Sequence, residues 1–256
     1  MKQLNIHMAY RQEVGDRKVQ QDAVAVSDEK LYRRCGLLAV LSDGMGGMAS
    51  GERFSGVVVT EMLRAFENAD PALPLCDRLE TVYRAARTEA LRLRTEEKLD
   101  GGATVVAVLL HKNQCAFLSA GDSRIYLWRN GGLIQLNRDQ NLGVLLDERA
   151  AMGQIPWEEA HYNLHRDSLT NHVCEPGEQV CDRNDRPFPL CPGDKIALLS
   201  DGVFRTLDEA GISKRIALPG TQGVDAICQA VLREGKSPLD NYSVLLLAIS
   251  GSCGIK

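Results

Sequence analysis

Asp43, Asp122, Asp201 and Asp240 each stand where an apolar run begins or ends. LLAVLSDGMGG (residues 37–47) and KIALLSDGVF (195–204) both carry aliphatic residues into Ser-Asp-Gly. CAFLSAGDSR (115–124) runs into Gly-Asp-Ser, and DNYSVLLLAI (240–249) opens its apolar run on Asp240. The ends of buried strands are where a rigid scaffold displays functional groups. Carboxylates gathered at one such rim repel each other, and some must stay protonated unless a cation neutralises them. A lone Asp-Gly is ordinarily a turn, but the recurrence points to a shared metal site. With no Cys or His beside Asp43, Asp201 or Asp240, the donors are all oxygen, which suits Mg2+ or Mn2+ better than Zn2+. The glycines after Asp43 and Asp201 let backbone approach a ligand closely. In GDRKVQQDAV (15–24), Arg17 and Asp22 precede a further strand-like run. Near a metal cluster, the planar fork of an arginine is a natural clamp for phosphate.

The elements that must position these groups are legible as alternating or short apolar runs. Strands are expected at residues 4–10, 23–27, 37–42, 103–110, 115–120, 125–128, 133–136, 195–200 and 244–250. Helical patterns cover 51–66 and 79–98, with shorter helices near 208–216 and 224–233 and one opening on Pro156. Turn signals lie at HKNQ (111–114), GDS (121–123) and RNGG (129–132). Helices grouped apart from a run of antiparallel strands predict an α+β fold. Residues 139–186 are the least regular stretch, and a flap near the site is expected there.

At 256 residues the chain can bury about three quarters of its unfolded surface. A net charge of −4 gives no reason to expect a nucleic acid or an anionic membrane as partner. No run is long enough to span a bilayer, and the opening MKQLNIHMAYRQE lacks the apolar core of a signal peptide. None of the eight cysteines forms C-x-x-C, so free thiols in a reducing cytoplasm are expected.

With its motifs taken in order, the chain resembles the metal-dependent protein phosphatase family, the type 2C serine/threonine phosphatases, in its compact bacterial form. The motifs are R-x-x-x-Q-D at 17–22, S-D-G-M-G-G at 42–47, G-A-T at 102–104, A-G-D-S-R at 120–124, P-G-D-K…S-D-G at 192–202 and D-N-Y-S at 240–243. The resemblance implies a four-layer α-β-β-α sandwich, two antiparallel sheets flanked by helices, with residues 1–256 as a single catalytic domain. It implies two Mn2+ or Mg2+ ions and a third-ion site. Asp43 would bridge two ions, the Gly44 carbonyl would hold one, Asp201 and Asp240 would hold the other, and Asp22 would reach the first through water. Asp122 with Asp201 would match the third-ion site. Arg17 would bind the substrate phosphate, so Asp43 and Arg17 are the expected catalytic residues. The substrates would be phosphorylated proteins, with a serine/threonine kinase as the opposing activity and a monomeric, cytoplasmic enzyme.

Because metal-activated water needs no protein nucleophile, Ser42 and Ser200 are expected to be structural. The chain departs from the family in places. Met45 stands where some members carry a histidine proposed as the leaving-group acid, Gln20 stands where the first motif usually carries Asn, Gln21 is the neutral choice where the family has Glu or Gln, and Asp139-Gln140-Asn141 replaces Asp-His-Ser. His161 and His165 are spaced i, i+4, but no further ligands follow at zinc spacing. Trp128 and Trp157 are expected to pack. A catalytically silent, phosphoprotein-binding regulator is the alternative; such a chain would typically lose Asp43, Asp201 or Asp240, and none is missing. A nucleotide site in GMGGMASG (44–51) lacks both G-K-[ST] and G-x-G-x-x-G.

Overall fold

The computed structural model describes residues 4–45, 50–175, 177 and 181–251. In chain order the elements are β1 (Asn5–Glu13), β2 (Asp22–Val26), α1 (Tyr32–Cys35), β3 (Leu37–Met45), α2 (Gly51–Glu67), α3 (Leu75–Glu96), β4 (Gly102–Ala103), β5 (Val105–His111), β6 (Gln114–Ala120), β7 (Arg124–Arg129) and β8 (Gly132–Gln135). They continue with α4 (Leu142–Ala151), α5 (Trp157–His161), β9 (Asp182–Arg183), β10 (Phe188–Pro189), β11 (Lys195–Leu199), α6 (Asp201–Phe204), α7 (Glu209–Ile216), α8 (Gly223–Glu234) and β12 (Tyr242–Ser250). The strands form two antiparallel sheets, ordered β1-β12-β11-β7-β8 and β10-β6-β5-β3-β2, with β4 and β9 on β3 and β6.

The period-2 alternation of each central strand builds the layers. In β3, Leu38 and Val40 face the core beneath α2 and α3, while Leu37, Ala39 and Leu41 face the space between the sheets. In β11, Ile196 and Leu198 enter that same space, and Ala197 and Leu199 pack with Ile227 and Val231 of α8. Both faces of these strands are therefore buried, which is why they read as unbroken apolar runs. Each fully buried Leu or Ile contributes about 1.5–3 kcal/mol. The three buried layers make the predicted α-β-β-α sandwich.

The three turn signals have two outcomes. Lys112-Asn113 and Asn130-Gly131 close two-residue hairpins, His111 facing Gln114 and Arg129 facing Gly132. Asn130 and Gly131 both take positive φ, 51° and 84°, as that turn requires. Residues 121–123 do not close a hairpin, because β6 and β7 lie in different sheets and the turn carries the chain across the sandwich. Gly121, at φ 109°, lies against Thr104, where a Cβ would come within 2.7 Å of the Thr104 side chain.

The described part of residues 139–186 is more ordered than its composition predicts. Asn141 caps α4, its Oδ1 accepting from Val144 N at 3.1 Å. Leu146 and Ala150 of α4 pack with Ala160 of α5 as a small separate core. Trp157 does not pack: it is 59% exposed, because α5 has one turn and buries only Ala160. Among the described residues no helix is long and apolar enough to cross a membrane.

Candidate metal centre

Antiparallel pairing collects the acids at one edge of the sandwich. Asp22, the first residue of β2, lies directly opposite Asp43 near the end of β3. Ala120 ends β6 opposite Val105, so Asp122 follows at the same edge. Leu199 ends β11 opposite both Arg124 and Val244, which places Asp201 between the turns that carry Asp122 and Asp240. Arg17, Asp43, Gly44, Asp122, Asp201 and Asp240 thus line one cavity of about 370 Å3. Asp22 lies buried behind Asp43 rather than on its wall.

Polar contacts fix each group. Thr104 clamps the end of β3, its N–H donating to Asp43 O at 2.8 Å and its Oγ1 accepting from Asp43 N at 3.0 Å. Ser42 Oγ donates to Thr104 O at 2.6 Å, and Ser200 Oγ donates to Asp22 Oδ2 at 2.8 Å. Both hydroxyls are fully buried and committed, as expected for structural serines. Asn241, not singled out in the sequence, ties two loops together: its Oδ1 accepts from Gln21 N and its Nδ2 donates to Val14 O, each at 2.8 Å. Gly15, at φ 59°, packs against the backbone of Asp240, and the following turn carries Arg17 to within 2.7 Å of Asp240 Oδ2. The replaced triad acts on surroundings only: Asp139 holds Arg124 at 2.7 Å, and Gln140 Oε1 accepts from Gly121 N at 2.8 Å.

Burial of so many carboxyls shifts their protonation upward. Asp22 is pushed up to about 6, first by burial and further by the charges of Asp201 and Asp240, with the nearby Ser243 and Ser200 hydroxyls pulling the other way. Asp122 is pushed up to about 7, again first by burial. Burial and the neighbouring Asp22, Asp201 and Asp122 hold the Asp43 carboxyl well above the usual carboxylate range, and it shares a hydrogen bond with Asp201. Asp201 is itself raised by burial, against the pull of Arg205.

This donor set fits a divalent-cation centre. It is all oxygen and carries more negative charge than its burial tolerates. Asp22 Oδ1 is buried without a hydrogen-bond partner, as an oxygen reserved for a cation or its water shell would be. Among the described residues no three His, Cys, Asp or Glu side chains already stand in ligand geometry; Arg17 and Arg205 hold two of the acids instead, Asp240 at 2.7 Å and Asp201 at 2.9 Å. Arg205 and Asp167, both on the cavity wall, were missed in the sequence. The i, i+4 spacing of Asp201 and Arg205 was the available signal. His161 and His165 are exposed and away from the cavity wall. Residues 46–49 of the glycine-rich stretch lie outside the described residues.

A pH dependence follows. In the unfolded chain an aspartate loses its proton near 3.8, whereas folded Asp22 and Asp122 keep theirs to about 6 and 7. Between those values the folded state binds more protons than the unfolded one. These groups therefore destabilise the fold progressively from about pH 4 to 7, with no further change above. In chelator-treated protein we expect the melting temperature to fall from pH 5 to pH 8, and the slope to shrink in Asp122→Asn. Mn2+ should raise the melting temperature more at pH 8 than at pH 5, because it competes with those protons. A metal-induced shift equal at both pH values would contradict this assignment.

Residues 12–226 match the family described as Protein phosphatase 2C. The chain is 31% identical over 230 residues to the serine/threonine protein phosphatase PstP of Mycobacterium tuberculosis, covering 87% of this chain and 42% of that protein. The chain thus spans less than half the length of that relative. It is 30% identical over 178 residues to the serine/threonine phosphatase stp of Listeria welshimeri, covering 67% of this chain and 68% of the relative. A crystal structure of the catalytic domain of PstP in complex with two manganese ions superposes with a TM-score of 0.77 at 25% identity, covering 97% of this chain and all of that one.

Proposed function

The chain belongs to the protein phosphatase 2C family, and on that premise we propose that it hydrolyses phosphoserine and phosphothreonine on phosphorylated proteins, with metal-dependent attack by water. One observation carries the reading: Asp43, Asp201 and Asp240, far apart in sequence, line one cavity together with Arg17. The full acidic set favours an active enzyme over a silent regulator.

Asp43, the Gly44 carbonyl, Asp201 and Asp240 would hold two Mn2+ or Mg2+ ions, with Asp22 behind them and Asp122 at the adjoining position. Divalent ions bound there acidify water and offset charge on a phosphoryl group. The remaining work falls to the chain's own residues. Thr104 and Ser42 keep Asp43 from swinging out of the cavity. Arg17, more than half exposed at the cavity mouth, offers its free guanidinium donors to phosphate oxygens. Ser42 and Ser200 are buried and committed to structural hydrogen bonds, in keeping with water as the attacking group. Residues 1–256 act as one catalytic domain, and 139–186 serve as the flap: Leu142 N donates to Ser168 O at 2.9 Å and Gly143 N to Arg166 O at 2.7 Å, which bring Asp167 and Ser168 onto the cavity wall. The seven described cysteines are all free thiols, in keeping with a cytoplasmic protein; a serine/threonine kinase would be the opposing activity.

The test is turnover of a phosphothreonine peptide. Activity should need added Mn2+ or Mg2+ and vanish with chelator. Arg17→Ala should raise KM by roughly 10-fold or more, the worth of a charged hydrogen bond, with a smaller effect on kcat. Unchanged KM and kcat would remove Arg17 from the phosphate-binding role.

A further inference from the structure

Arg205 is a cavity residue whose chemistry the reading above leaves unused. It follows α6, its N–H donating to Asp201 O at 2.9 Å, and its Nη2 lies 2.9 Å from Asp201 Oδ2. An i, i+4 ion pair on an ordinary helix hangs in solvent and contributes little. This one borders the cavity: Arg205, its side chain 45% exposed, lines it with Asp122, Asp167, Asp201 and Asp240 and is attracted by all four. It is also the cation that acts on buried Asp122.

We propose that the Arg205 guanidinium is a built-in counter-cation for the Asp122–Asp201 pair, so that the chain takes two divalent ions rather than three. The inference rests on the metal-dependent reading of this cavity. Two arguments support it. First, the guanidinium Nη2 lies 2.9 Å from Asp201 Oδ2, an oxygen that an ion seated between Asp122 and Asp201 would draw on, and two cations cannot share it without strong repulsion. Second, the charges balance at two ions. Asp22, Asp43, Asp122, Asp167, Asp201 and Asp240 bring six negative charges when ionised, and Arg17 and Arg205 bring two positive ones. Two divalent ions neutralise the remaining four. A third would leave the cavity with two excess positive charges. Arginine suits this task because it stays charged when desolvated and its fork can face more than one carboxylate.

The experiment counts bound Mn2+ by equilibrium dialysis at millimolar free metal, with circular dichroism confirming that each variant is folded. Wild-type protein should bind two ions per chain. Arg205→Ala and Arg205→Gln should each bind three, and Arg205→Ala combined with Asp122→Asn should return to two. Three ions on the wild type, or two on both Arg205 variants, would overturn the proposal. Fewer than two on the wild type would instead sink the metal-dependent reading, and this proposal with it.

Discussion

Asp43→Asn should lower phosphatase turnover by about 10²–10³-fold or more, the scale on which a single preorganised electrostatic group acts, while leaving the chain folded. The two effects separate because of where Asp43 sits. Its backbone is fastened by Thr104 on one side and by the β2 pairing on the other, and neither contact uses the carboxyl. The carboxyl itself is a liability to the fold, buried among Asp22, Asp122 and Asp201 and forced to keep its proton. Asparagine is nearly isosteric and needs no proton. Metal-free Asp43→Asn should therefore melt at or above the wild-type temperature at pH 8, while losing most of the Mn2+-induced stabilisation. A variant that melts far below wild type would mean that the carboxyl holds the fold. One that keeps full turnover would remove Asp43 from the reaction.

Gly44→Ala should damage stability and activity together. A Cβ on Gly44 would meet Gly51 O at 2.1 Å, Gly51 C at 2.4 Å and Gln21 O at 2.6 Å. All three are backbone atoms, so the end of β3, the start of α2 or the loop before β2 must move. Overpacking of this kind costs about 1–3 kcal/mol, which lowers the melting temperature of a chain this size by several degrees, roughly 2–12 °C. Displacing the Asp43-Gly44 backbone by a fraction of an ångström should lower turnover by about 10²-fold. Gly56→Ala is the control. Gly56 lies within α2 with nothing within 4 Å of its missing Cβ, so alanine there should be neutral or stabilise by up to about 1 kcal/mol. Equal melting temperatures for Gly44→Ala and wild type would show that the close approach of β3 and α2 is not required.

Much of this architecture is written in local patterns. The paired Ser-Asp-Gly phrases are visible because β3 and β11 are the buried strands of two different sheets and end at the same edge. The hairpins at Lys112-Asn113 and Asn130-Gly131 are visible because two-residue turns demand particular residues. What local pattern cannot carry is the relation between distant segments. The register that sets Asp22 opposite Asp43, and the tether from Asn241 to Gln21 and Val14, arise only when β2, β3 and β12 are assembled. The turn at 121–123 looks like a hairpin signal, and only the division of β6 and β7 between sheets shows it to be a crossing. Arg205 reads as a routine helix charge until Asp122 is brought beside it. The helix at 142–151 was hidden because its capping Asn141 follows a polar stretch, and because its buried face, Leu146 and Ala150, is too narrow to give a strong period.

The account turns on whether distant aspartates cage divalent cations, and the most direct measurement is anomalous diffraction at the manganese edge from crystals equilibrated with Mn2+. The expected result is manganese among Asp43, Asp201 and Asp240, two ions in the cavity beside Arg17. Manganese absent from that cavity, or found only elsewhere on the protein, would contradict the account at its centre.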